Sequence, residues 1–153
     1  MAVKAPSDET SPAENKRGVI AVCVRHGELL VIQRSQLVVA PGAFCFPGGA
    51  MEAGETEEQA LVRALREELA AEIRPLRRLW QSQTPAGVEL NWWHAALDNP
   101  DHLIANADEV ASFHWSEPAA LRKLEGLLSS NAAFLDSLSD GIFSVEGISL
   151  AGG

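Results

Sequence analysis

The chain has 153 residues, 46% of them apolar and 22% charged, which suits one globular domain built around a single core. A net charge of -9 excludes the basic surface on which nonspecific binding to nucleic-acid polymers depends. A phosphate-bearing ligand on so acidic a protein calls for divalent cations between the two sets of negative charge.

Residues 1–16, rich in Pro, Ser, Glu and Lys and without apolar periodicity, read as a disordered tail lacking the apolar core of a signal peptide. Runs such as "GVIAVCV" and "LLVI" are far too short to span a bilayer, so the expected protein is cytoplasmic with no membrane partner. From Gly18, "GVIAVCVRHGELLVIQRS" reads as a hairpin of central strands over 18–25 and 28–34. "AFCFPGG" then reads as a short strand closing on a Pro-Gly-Gly turn that feeds the loop "AMEAGE".

Thr56 sits where an N-cap belongs, with Gln59 three residues on and Glu57 and Glu58 in the first turn. This capping box predicts a helix over about 57–70, whose stripe of Leu61, Val62, Leu65 and Leu69 packs on the sheet. "LRRLWQSQT" and "VELNWWHAALD" read as a second hairpin that points Trp92 and Trp93 to opposite faces, one of them core. "DEVASFHW" is a further strand. Ser116 as N-cap and Pro118 in the first turn predict a second helix to about 128, and "NAAFLDSLSD" a third. The domain is thus expected over 17–140, with a tail over 141–153 of some strand character and no assigned partner.

Cys23 and Cys45 lie in apolar stretches away from any CxxC or zinc-spaced histidine, and read as buried free thiols. His26, His94, His102 and His114 are scattered and form no metal or triad constellation.

One spacing carries chemistry. Gly49 is followed after five residues by Glu55, after seven more by Arg63, and then by Leu65, Glu67 and Glu68. Taken alone, Pro-Gly-Gly is a turn and Glu67-Glu68 a solvated helix face; taken together, the loop and helix resemble the signature of the Nudix hydrolases, G-x5-E-x7-R-E-U-x-E-E-x-G-U, with U a bulky apolar residue. The element order over 18–130 is also similar to the α/β/α sandwich of that family, with a mixed β-sheet.

The resemblance implies a magnesium-dependent hydrolase, with manganese as the other candidate ion, acting on a pyrophosphate bond in a small nucleotide derivative. It implies Glu68, Glu67 and the Gly48 carbonyl as metal ligands, Gly48 and Gly49 as substrate-binding backbone, and Glu55 and Arg63 as partners holding the loop to the helix. A homodimer is the assembly to expect. Such a cradle suits the reaction, because cleaving P–O–P demands positioning, charge neutralisation and an activated water.

The signature is departed from at Ala64, where the family has glutamate, and at Ala70 and Ala71, where it has glycine and a bulky apolar residue. The second departure predicts only a different or slightly longer helix exit. The first removes a metal ligand or base, and leaves open a noncatalytic nucleotide- or metabolite-binding protein on the same fold. An acid-rich helical interaction module unrelated to the family is a third reading, to which a missing cleft beside Glu68 would point. Glu109 is the first candidate for a replacement base, with Asp108 and Glu52 behind it. Trp80, Trp92, Trp93 and Phe44 could stack on a planar group, and Arg25, Arg34, Arg77 or Arg78 could meet phosphate, although core packing and surface solvation are the simpler roles for each set.

Overall fold

A computed structural model describes residues 16–149, so all but Lys16 of the expected N-terminal tail, and residues 150–153, lie outside it. Two four-stranded sheets organise the molecule. The first contains β1 (Arg17–Val22), β5 (Gly48–Ala50), β6 (Ile73–Gln83) and β7 (Glu89–Leu97) in the order β5-β1-β7-β6. It is mixed, since β1 runs parallel to β7 and antiparallel to β5. The second joins β2 (Val24–Arg25), β3 (Glu28–Arg34), β4 (Phe44–Cys45) and β8 (Val110–Ser116), every pair antiparallel.

Two readings of local sequence are corrected by these pairings. The run 18–25 is not one arm of a hairpin: it breaks at Cys23, β1 joining the first sheet and only the two residues of β2 pairing with β3. Likewise Pro47-Gly48-Gly49 is not a closing turn, for the chain bends at Pro47 and crosses to the first sheet as β5, where Ile20 faces Gly48 and Val19 faces Gly49. In both cases a partner distant in sequence chose the conformation that local propensity left open.

The first sheet is covered on both faces. Val19 and Ala21 of β1 point to one core with Leu61, Leu65 and Leu69, while Val22 points to another with Trp92, Phe134 and Leu135, as the two-residue period of a strand requires. Helix α1 (Glu57–Leu69) lies on the first face against β5, β1 and β6. Helix α3 (Ser129–Ser139) supplies the second, with Phe134 stacked on Trp92 at 4.7 Å between ring centroids. Trp92 is fully buried and Trp93, on the opposite face, is half-buried against the α1 core.

The second helix is shorter than expected: α2 covers only Pro118–Arg122, with Glu117 rather than Ser116 at its N-cap and no side-chain cap bond. Residues 141–149 form no strand, and Phe143, Val145 and Ile148 pack against the α3 core instead. Both cysteines are buried free thiols, and burial pushes the Cys23 thiol up to about 12. Among the described residues no helix is long and apolar enough to cross a membrane.

Candidate active site

The loop before α1 and the helix itself are built as one piece. Thr56 accepts from the Gln59 amide at 3.1 Å and Gln59 accepts from the Thr56 amide at 2.9 Å, the reciprocal pair foreseen for this turn. Glu55 takes both ends of the Arg63 fork, from Nε at 2.6 Å and Nη2 at 2.9 Å, and also accepts from the Glu52 amide at 2.8 Å. The Arg63 hydrogen bonds hold the Glu55 carboxyl below its ordinary range, and the guanidinium rises in turn. Arg63 Nη2 donates to the Ala50 carbonyl at 2.9 Å, which ties β5 to the helix.

That clamp fixes Gly48 and Gly49. A Cβ on Gly48 would stand 2.1 Å from the Val19 carbonyl oxygen, so only glycine fits there. A Cβ on Gly49 would meet the Ala64 Cβ at 3.4 Å, so helix and strand are in direct contact there. Ala64 itself is buried in the α1 core.

Glu68 lies one turn further on and lines a cleft of about 700 Å³ between the sheets and the start of α3. Its Oε1 accepts from the Gly48 amide at 3.1 Å. Loss of water around the carboxyl pushes it up to about 8; the charges of Glu109 and Glu67 push the same way, against the Gly48 bond and Arg34. Glu67 is exposed and pairs with Arg63 at 3.1 Å. Among the described residues no three His, Cys, Asp or Glu side chains stand grouped around a common point that could hold a metal ion.

The donor set nevertheless fits a hard divalent cation. Glu68 is a desolvated carboxyl with a single amide partner, facing the charge of a second acid from the segment before β8. The Glu68, Glu67 and Gly48 donors are all oxygen, and the buried Cys45 thiol, itself pushed up by burial, is also on the cleft wall. Desolvation first, and the neighbouring acids second, favour the proton on Glu68, and a cation would take the place of that proton.

The alternative acids separate by position. Glu109 reaches Glu68 electrostatically, Asp108 is exposed beside it, and Glu52 stands 3.6 Å from Arg63, within the clamp. Of the arginines named as phosphate contacts, only Arg34 lines the cleft, where its Nε donates to the Val39 carbonyl at 2.6 Å. Arg25 lies over Trp115 and pairs with Asp101, Arg77 donates to the Ser144 carbonyl, and Arg78 pairs with Glu57. Trp80, Trp92, Trp93 and Phe44 are not among the residues lining the cleft; the first two belong to the aromatic core, and Trp93 donates to Glu57 at 2.8 Å.

Several lining residues escaped the sequence reading, Arg17, Phe46 and Asn131 among them. Phe46 forms apolar wall, and Asn131, 2% exposed, accepts from the Phe46 amide at 2.9 Å while its Nδ2 donates to Ser130 Oγ at 3.1 Å. An asparagine on the buried side of an apolar helix was the available signal, since such a group must find partners.

With apolar walls that include the Phe46 ring, one buried side-chain amide, Arg17 and Arg34, and the Glu68 carboxyl, the cleft can take a planar group at one end and phosphate at the other. The NUDIX domain family model matches residues 14–138. The chain is 34% identical to the CTP pyrophosphohydrolase of Escherichia coli strain K12 over 104 residues, covering 65% of this chain and 74% of that protein. Among solved structures, the Escherichia coli ORF135 protein superposes with a TM-score of 0.65 at 27% identity, covering 82% of this chain and 89% of that one. The MutT protein of Methanosarcina mazei Go1 gives 0.68 at 16% identity over 81% and 92% of the two chains, a likeness of fold. The loop, helix and cleft are therefore those of a known architecture: the chain belongs to the Nudix family, MutT-like in type, and is a hydrolase acting on phosphorus-containing anhydrides.

Proposed function

We propose that the substrate is a small nucleoside di- or triphosphate derivative, cleaved at a P–O–P bond with magnesium, or manganese in its place. The observation that carries this reading is Glu68: a cleft-lining carboxylate pushed up to about 8 by desolvation, the charge of Glu109 and that of Glu67. When bound, the cation supplies charge neutralisation on the phosphoryl oxygens and activation of water. Glu68 and Glu67, with the Gly48 carbonyl, are the ligands assigned to it, and the backbone at Gly48 and Gly49 lies against the phosphates. Glu55 and Arg63 keep that backbone in place, and Arg34 meets the phosphate charge.

Ala64 offers no oxygen, so proton removal falls to another acid. Glu109 is assigned this step because its charge already reaches Glu68, whereas Glu52 is spent on the Arg63 clamp. Water loses its proton to Glu109 as its oxygen attacks phosphorus, and the bridging P–O bond breaks with the departing phosphate carrying the electron pair. The apolar end, with Asn131 as its buried amide, is the place for a nucleobase. The domain performing this is taken as residues 17–140.

Similarity to a CTP pyrophosphohydrolase puts CTP first in a panel of nucleoside triphosphates, nucleotide sugars and dinucleoside polyphosphates. The wild type is expected to turn over at least one with magnesium and to stop when the ion is chelated. Glu109→Gln should lower kcat and remove the acid limb of its pH profile. Binding of a panel member without hydrolysis would overturn the reading, all the more if Ala64→Glu then restored turnover. Sedimentation equilibrium tests the homodimer.

A further inference from the structure

Helix α1 ends at Leu69, which leaves the carbonyls of its last residues without partners inside the helix. They are satisfied in succession from one loop, residues 98–109. Asn106 Nδ2 donates to the Glu67 carbonyl at 3.2 Å and the Asn106 amide to the Glu68 carbonyl at 2.8 Å. The Ile104 amide donates to the Leu69 carbonyl at 2.8 Å, and Asn99 Nδ2 to the Ala70 carbonyl at 3.0 Å. Asn106 alone grips the backbone of both acidic residues of the motif.

The same residue holds the other side of the site. Its carbonyl accepts from the Glu109 amide at 2.9 Å and the Val110 amide at 2.8 Å, and its Oδ1 accepts from the Asp108 amide at 3.1 Å. Ser35 closes the segment from behind, its amide donating to the Glu109 carbonyl at 3.0 Å and its Oγ to the Asp108 carbonyl at 2.8 Å. The path from Glu67 and Glu68 to Glu109 thus runs through a single asparagine.

We propose that Asn106 is a positioning residue that sets the separation between Glu109 and the Glu67–Glu68 pair, and thereby the affinity of the site for its divalent cation. The inference rests on the functional reading above. Asn99 makes a similar bond to the same helix end, but its other bonds, from the Glu72 and His102 amides, do not reach residues 106–109, and so it provides an internal control.

The test is manganese binding to the full chain without substrate, followed by the EPR signal of the free ion. Asn106→Ala, and Asn106→Asp, which keeps the acceptor for Asp108 and removes the donor to Glu67, are each expected to weaken binding by about 10- to 100-fold. Asn99→Ala should stay within about twofold of the wild type even where its thermal midpoint falls as far. Adding Asn106→Ala to Glu109→Gln should weaken binding by less than the two single losses combined, because part of the Asn106 effect runs through Glu109. Wild-type affinity in both Asn106 variants, additivity in the double variant, or an equal loss in Asn99→Ala would overturn the inference while leaving the proposed function intact. A wild type that neither binds manganese nor cleaves any phosphoanhydride would overturn both.

Discussion

The two ends of α1 are built on opposite electrostatic plans. At the first turn, Glu57 receives Arg17 at 2.8 Å, Arg78 at 3.3 Å and the Trp93 indole at 2.8 Å, and just before it Glu55 receives Arg63. Glu55 and Glu57 are both matched by cations, on the end of the helix where the backbone dipole already favours negative charge. At the last turn, Glu68 has one amide, two acids whose charge reaches it, and the carbonyl end of the dipole beside it. The first end is complete as it stands and serves as scaffold. The second is stable as an acid only with its proton or a cation, which is the property a metal site needs.

The largest effect should come from removing the carboxyl at the incomplete end. Glu68→Gln is expected to lower kcat by about 100- to 1000-fold, read by steady-state turnover. It should also change the pH dependence of stability. Because the folded value, about 8, lies above the ordinary 4.5, the folded state holds the proton that the unfolded chain releases between those values. Stability from this group is therefore full below about pH 4.5 and falls as pH rises toward 8, with a slope approaching about 1.4 kcal/mol per pH unit. Urea titrations of the metal-free protein across that window should show the decline, Glu68→Gln should flatten it, and magnesium should do the same for the wild type.

Arg63→Lys tests the complete end. A lysine keeps the charge but cannot span both Glu55 oxygens, Glu67 and the Ala50 carbonyl, so kcat/KM should drop about 10- to 100-fold with the fold retained by circular dichroism. Thr56→Ala removes the cap bond alone and should reduce unfolding free energy by about 1 kcal/mol in urea, with little change in kcat.

The smallest effect has the opposite sign. Ala70 exits the helix at φ 52°, a left-handed conformation, and not by the different or longer route expected from its lack of glycine. Ala70→Gly should therefore stabilise the protein by up to about 1 kcal/mol, raising its thermal midpoint and leaving turnover unchanged.

How much of this could be read in the sequence follows the reach of the interactions. The capping box, the buried stripe of α1 and the Glu55–Arg63 spacing are local, and residue order states them directly. The break at Cys23 and the extended path through Gly48 are decided by pairing with strands far along the chain. Asn131 was missed because nothing in its neighbours says that an amide from Phe46, a long way back in sequence, needs an acceptor. Glu109 could be named as one acid among several, but its approach to Glu68 depends on how a loop folds over a helix end, for which no periodicity exists.

That loop has a consequence for how the site opens. The bonds from Ile104, Asn106 and Asn99 cap the last carbonyls of α1 and also anchor the segment before β8, so lifting the loop strips the carbonyls of Glu67, Glu68, Leu69 and Ala70 of their partners and loosens the turn that bears the two acids. Loop and helix end form one cooperative opening unit, in which the amides of Ile104 and Asn106 exchange with solvent together and slow in step when the site is filled.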